Sequence, residues 1–392
     1  NNYIEVNDMS EFLKVFVKDD WNELLYAQLI KEYWIDDIEL TNIFCDRLDK
    51  ERIIKEPKKR LKSYVINKLL HVYNKILTKD DDIFFISSYL PLRIDFILQS
   101  KLGQFPKIWK SRRMPKSSPN IEARQWVLNI TKDVNQGKDG FSEIIGKLIS
   151  KHIPVAYLEG YSQLVESSHN LPWPRNPKLI FTSNSYSSDD LFKCWSAEKI
   201  EQGAPLIVGQ HGGNFGMNTF SFHEEHQIKI SDKWISWGWS DTQREKITPI
   251  GNLKAIGKDV KYNPKGGALM VEMDLPRYSY HLYSVPVANQ WLDYFQDQKL
   301  FLNTLPRQLR SQVLLRLGGD HGWDQLERWS NTMPELKINP GVGSIHKLIN
   351  KSRIFISTYN ATTYLESLSW NIPTIIFWNP EHWELNKEAK PY

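Results

Sequence analysis

Along most of the chain, short apolar runs rich in β-branched and aromatic residues alternate with stretches of helical periodicity. That alternation predicts βαβ units built on parallel sheets. "DIFFISSYL" (82–90) predicts a buried strand, and "LRIDFILQSKLG" (92–103) predicts the helix after it. "IPVAYLEG" (153–160) predicts another strand. The clearest unit runs from 178 to 210. "KLIFTSN" reads as a strand, "SSDDLFKCWSAEKIEQG" as a helix capped by Ser with Asp189 and Asp190 in its first turn, and "APLIVGQ" as the next strand. "KWISWGW" (233–239) continues the series, with Asp232 just before it.

Between 248 and 267 the periodicity lapses into a glycine- and proline-containing stretch, which reads as a domain junction. A second series follows. Strands are expected at "ALMVEM" (268–273), "QVLLRLGG" (312–319), "SRIFIST" (352–358) and "TIIFW" (374–378), with helices at 287–296 and 361–370. The expected architecture is α/β and GT-B-like: two Rossmann-like domains whose parallel sheets face an interdomain cleft. The expected domains are 1–252, with a mostly helical first 75 residues, and 253–392. Ligands would bind where loops and helix N-termini converge at the carboxyl ends of the strands.

Composition narrows the function. The 392 residues carry 50 basic and 46 acidic side chains, for a net charge of +4. That balance is too even to imply nucleic acid. The run "KEPKKRLK" (55–62) is the nearest approach to a basic patch; it reads as a solvated face, with a peripheral contact to anionic lipid as the minor alternative. Cys45 and Cys194 form neither a disulfide framework nor a metal-ligand spacing. No apolar run approaches the roughly 20 residues of a membrane span, and the first residues lack a signal peptide's apolar core. These features predict a cytoplasmic protein, with the inner membrane face left open. The 15 Trp, 17 Tyr and 17 Phe suit core packing, although aromatic faces also stack on sugars.

The stretch "IFISTYNATTYLESLSWNIPTIIFW" (354–378) carries the strongest local signal. A strand ends at Ser357 and Thr358, and a polar loop with Asn360 opens a helix. Backbone N–H groups at that helix start can hold a phosphate, with Thr358, Thr362 and Thr363 adding hydroxyls. Glu366, about one turn into the helix, can accept hydrogen bonds from a ribose. An ordinary βαβ unit with Ser/Thr capping is the plain alternative. In "VLLRLGGDHGW" (313–323), Arg316 ends a strand, and Asp320 and His321 lie just beyond it. They could place a cation and polar groups over a phosphate, or Arg316 could simply be salt-bridged.

Two further segments occur about twenty residues apart, "GQHGGNFG" (209–216) and "HQIKISDKWISWGWS" (226–240). The first brings Gln210, His211, Gly212 and Gly213 to a strand end. The second sets Asp232 and Lys233 at the mouth of the next strand. A carboxylate there can act as a nucleophile or base, or as a partner to Lys233. Glu159 would close "IPVAYLEG" at the same sheet edge. Two carboxylates so placed suit glycosyl transfer with retention.

Together the motifs resemble the retaining β-Kdo transferases of bacterial surface-polysaccharide assembly, the WbbB-type domain and its wider LIC-type relatives, over roughly residues 80–392. The resemblance implies transfer of β-Kdo from CMP-Kdo by double displacement. Asp232 would be the nucleophile and Glu159 the acid/base, with His211 as an alternative base. Ser357, Thr358, Asn360, Thr362 and Thr363 would lie at the CMP phosphate, Glu366 at the ribose, and Arg316 and His321 near the nucleotide. The sugar carboxylate would take Lys233, His211 or Arg316. CMP leaves with a single phosphate, so backbone amides and hydroxyls can serve without a metal, and "DDD" (80–82) precedes a strand instead of following one. No cofactor is expected. The expected partners are CMP-Kdo, a glycan acceptor on a lipid carrier, and further domains if the chain is part of a longer one. Another CMP-nonulosonate, a UDP or CDP donor, or a non-catalytic polysaccharide-binding module are the alternatives.

Overall fold

A computed structural model describes residues 6–33, 61–110, 114–135, 140–258, 260–279, 283–319 and 322–391. Cys45, His321 and residues 55–60 of the basic run lie outside the described residues. Tertiary contacts group the chain into two compact units, Asn1–Ser88 with Asp95–Ile207, and Tyr89–Ile94 with Val208–Tyr392.

The fold is α/β, with two five-stranded parallel sheets of Rossmann-like type. The first sheet holds β1 (Phe84–Ile86), β2 (Ile180–Thr182), β3 (Leu206–Gly209), β4 (Lys233–Ser236) and β5 (Ile247–Pro249), in sequential order. The second holds β6 (Gly267–Val271), β7 (Val313–Arg316), β8 (Lys337–Asn339), β9 (Ser352–Ser357) and β10 (Thr374–Ile376), in the order β10-β9-β6-β7-β8. Strands covered on both faces read as unbroken apolar runs, which is why "FFI" and "IFT" are wholly buried.

The two strand orders differ in a way that matters for binding. The first sheet adds each strand to the same side of the last. In the second, the chain starts at central β6, moves outward through β7 and β8, and returns to β9 on the other flank. The connections leaving β6 and β9 therefore diverge, and the gap above their carboxyl ends is the switch point where α/β sheets take ligands. Val271 and Ser357 pair there.

Aromatic side chains fill both cores. In the first unit Phe84 meets Trp109, Trp173 and Trp195 at centroid distances of 4.9, 4.8 and 4.5 Å. In the second, Trp291 stacks on Trp323 at 4.7 Å and Phe295 meets Trp329 edge-on. Trp109, Trp173, Trp195, Trp234, Trp291, Trp323, Trp329 and Trp383 are all buried, so they belong to packing and not to sugar stacking.

Two local expectations are corrected. Residues 153–160 are not a strand: Val155–Tyr157 is a 3-10 turn that leads into the helix Tyr161–His169. A short apolar run fits a buried helical turn as well as a strand, and Pro154 at φ −57° with Gly160 behind it favours the turn. In the helix Asp190–Glu201 the cap is Asp189, whose carboxylate accepts from the Phe192 N–H at 3.0 Å; the serines before it form their own turn, Ser185–Ser188. The "DDD" run is held by bases, with Asp82 paired to buried Lys107 at 2.6 Å and Asp81 to Lys178 at 2.6 Å.

One core carboxylate sits under strain. Glu272, the first residue beyond β6, is 1% exposed and accepts from Gln325 Nε2 and Trp329 Nε1. Burial raises its pKa to about 7, against these two donors, with nearby Asp274 adding to the rise. The folded state thus holds a proton that the unfolded chain releases near 4.5. The neutral carboxyl stabilises the fold fully below the unfolded pKa, and this stabilisation is lost as pH rises through about 7. We expect Glu272→Gln to remove a loss of roughly 3 kcal/mol, taken at ~1.4 kcal/mol per pH unit. Urea unfolding at pH 5 and pH 8 checks this: the variant should gain on the wild type at the higher pH.

Candidate functional site

β9 delivers the site. Its last residue, Ser357, and the following Thr358 are fully buried. Ser357 donates its hydroxyl to the Tyr359 carbonyl at 3.0 Å, and Thr358 donates to the Val271 carbonyl at 2.8 Å. Tyr294 Oη lies 2.5 Å from Thr358 Oγ1. These two hydroxyls therefore fix the loop to the sheet at the switch point and do not face a ligand. Asn360, also buried, links Asn218 and Tyr364 through its amide at 3.1 Å each. Thr363 Oγ1 lies 2.9 Å from Tyr359 Oη.

What remains open is backbone. The helix Thr362–Ser369 begins after Ala361, which has no side-chain oxygen to cap it. Its first-turn N–H groups form the positive end of the helix dipole, and an anion satisfies them well.

The glycine loop after β3 packs directly on that helix start. A Cβ on Gly213 would stand 2.3 Å from the Ala361 carbonyl oxygen and 2.8 Å from Thr362 Cα. The Gly213 N–H donates to Thr362 Oγ1 at 3.2 Å. Gly216, at φ +77°, lies against the Trp239 ring, where a Cβ would come within 2.5 Å. Gly212 has ordinary clearance, with Thr362 Oγ1 at 3.8 Å. The glycines at 213 and 216 thus admit other parts of the protein instead of a sugar.

Gln210, 1% exposed, organises this loop. Its Oε1 accepts from the Trp237 N–H at 2.8 Å and Trp239 Nε1 at 3.0 Å, and its Nε2 donates to the Gly212 carbonyl at 2.6 Å. A buried amide this fully used is a brace, not a donor ligand. His211 lies beside it, ring-stacked at 6.3 Å on Tyr89 and edge-on to Phe215 at 5.2 Å.

Sequence reasoning named Glu366 but missed the basic side chains near it, His346, Lys254 and Lys258. Glu366 is buried, with His346 Nε2 at 3.9 Å from its carboxylate. Burial raises the Glu366 pKa, and Lys254 and Lys258 act against that rise. Lys254 sits 4.6 Å over the Tyr89 ring, and burial lowers its pKa while Glu366 supports its charge. His346 is pushed down by burial and by both lysines. Lys254 and Lys258 lie in the glycine-containing stretch that read as a junction, where no periodicity shows which side chains turn inward. Tyr89 adopts φ +60°, an uncommon backbone for a bulky residue and often found where function holds the chain in place.

Other expected residues fall elsewhere. Asp232 and Lys233 are exposed and stand at the amino end of β4, with Lys233 Nζ on the Glu245 carbonyl at 3.3 Å. Gln210 and Trp237 meet beyond its carboxyl end. Five residues of extended chain separate Asp232 from Trp237, about 16 Å at ~3.3 Å per residue. The expectation that Asp232 shares an edge with His211 is corrected for this reason. Glu159 is not on a strand; its carboxylate takes Arg124 Nε at 2.7 Å and the Asn120 N–H at 2.9 Å. Arg316 directs its guanidinium to Asn339 Oδ1 and to the carbonyls of Gly341, Val342 and Gly343 at 3.0–3.2 Å, and so shapes the 339–343 loop.

A model of LIC12162 family transferases matches residues 1–392. The chain belongs to this family. No curated protein matches it. The family label makes the chain a transferase, an enzyme of group transfer. Among the described residues no helix is long and apolar enough to cross a membrane.

The glycine contact gives a direct check. We expect Gly213→Ala to destabilise this transferase by about 2 kcal/mol or more, because backbone on both sides of the contact must move. Gly212→Ala, with ordinary clearance, should lie within about 1 kcal/mol of wild type by the same measurement, thermal unfolding.

Proposed function

We propose that this transferase moves a glycosyl group from a nucleotide-activated donor, with the nucleotide held above the carboxyl ends of β6 and β9. The observation that carries the reading is the pairing of two features on one short helix. Its first turn presents uncapped N–H groups, and one turn later a buried carboxylate, Glu366, stands beside a ring nitrogen too distant for a hydrogen bond. A phosphate would take the first, and a ribose hydroxyl would take the Glu366 carboxylate.

CMP-Kdo is the donor we put first. The resemblance to β-Kdo transferases supports it, and so does the chemistry. One phosphate matches one helix start, and the sugar's carboxylate would find a half-buried cation in Lys254. His211, on the loop braced against the same helix, would take the proton from the acceptor hydroxyl. A double displacement through Asp232 is not part of this reading, because Asp232 belongs to the opposite edge of its sheet.

Calorimetry with CMP, CDP and UDP tests the nucleotide, and donor turnover with CMP-Kdo tests the sugar. We expect CMP to bind, with Glu366→Gln weakening it about tenfold through the loss of a charged hydrogen-bond acceptor. Asp232→Asn should keep turnover within about twofold, as for a surface substitution remote from the chemistry. Absence of binding by all three nucleotides overturns the donor site, and loss of turnover in Asp232→Asn overturns the exclusion of that residue.

A further inference from the structure

The helix Leu61–Leu77, in the first unit, is held to the body by one side. Buried Asn74 donates to the Ile108 carbonyl at 2.8 Å, and Tyr73 Oη donates to the Pro106 carbonyl at 2.9 Å. The neighbouring face is apolar and, among the described residues, open to water. Ile66, Leu69, Val72, Tyr73 and Ile76 are 53, 63, 47, 41 and 73% exposed. Their spacing of three and four residues places them on one continuous stripe.

Charge names the occupant. The helix carries Lys62, Lys68 and Lys75 and no Asp or Glu anywhere in its 17 residues. Lys68 and Lys75 fall on one flank of the stripe at helical spacing. In the sequence, "KEPKKR" (55–60) comes immediately before it, with four bases against Glu56. The helices Ile121–Asn135 and Gly140–His152 also expose large apolar side chains, Trp126 and Phe141 among them. Those helices mix bases with Glu122, Asp133 and Glu143, so their charge selects nothing.

We propose that the helix Leu61–Leu77 docks on an anionic phospholipid surface, with its apolar stripe at the acyl boundary and its lysines at the headgroups. An exposed apolar arc edged by lysine is the pattern of helices that lie in a membrane interface, where apolar burial and attraction to acidic lipid add together. With 17 residues and this much charge, it lies on the bilayer and does not span it.

Co-sedimentation of the full chain with vesicles tests the inference independently of any donor. We expect binding to phosphatidylcholine vesicles containing phosphatidylglycerol, weaker binding to phosphatidylcholine alone, and weakening by salt. The pair Leu69→Glu and Ile76→Glu should lower partitioning at least about tenfold, with the thermal unfolding midpoint unchanged because both side chains are exposed. Lys68→Glu with Lys75→Glu should remove the preference for the anionic vesicles. No vesicle binding, or binding unchanged by the first pair, overturns the inference. A dimer of the wild type that the first pair dissociates also overturns it and assigns the stripe to a second copy.

Discussion

A missing methyl group sets how two segments of the second unit meet. Gly213 meets the Ala361 carbonyl and Thr362 Cα so closely that no side chain fits between them. Through that contact the loop after β3 is pressed against the start of the helix after β9. Other positions follow from it: Thr362 Oγ1 accepts the Gly213 N–H, and Asn218 reaches the Asn360 amide. Asn386 ties the same stretch from the other side, its Nδ2 donating to the Gly216 carbonyl at 2.9 Å. Gln210 then fixes Trp237 and Trp239 to this frame, and Arg244 lies over the Trp239 ring at 5.7 Å.

The same contact sorts the polar groups of the site. Hydroxyls that the sequence offers as phosphate donors, at Ser357 and Thr358, are turned inward to stiffen the loop. Arg316 is likewise committed to shaping a neighbouring loop. What they leave toward a ligand is backbone N–H at an uncapped helix and a carboxylate with cations around it. Preorganisation of this kind reduces what a ligand must order when it binds. The buried groups act by holding the exposed ones still.

Much of the fold was legible because buried parallel strands show as continuous apolar runs, from "FFI" to "SRIFIS". "IPVAYLEG" misled because a run of that length carries no period, and only Pro154 and Gly160 hinted at a turn. That something comes close to "GQHGGNFG" was legible as well, since close approach demands glycine, but its packing on "STYNATTYLE" was not. Glycine does not say what approaches, however, and here it is another segment of the protein. Asp232 looked catalytic beside a strand, but it precedes that strand, which puts it at the amino end, away from the carboxyl ends where α/β sheets take ligands. Lys254, half-buried over an aromatic ring, had no signature in a stretch without periodicity.

Tyr89 belongs by sequence to the loop after β1, yet its contacts are with the second unit, over Lys254 and beside His211. The candidate site therefore draws on residues far apart in the sequence. A truncation starting at Val208 would keep the glycine loop and the whole second sheet but lose the Tyr89 ring that lies beneath Lys254 and beside the His211 imidazole. The second unit is consequently not a severable cassette: evolution could exchange it between chains only by carrying a six-residue piece, 89–94, along with it.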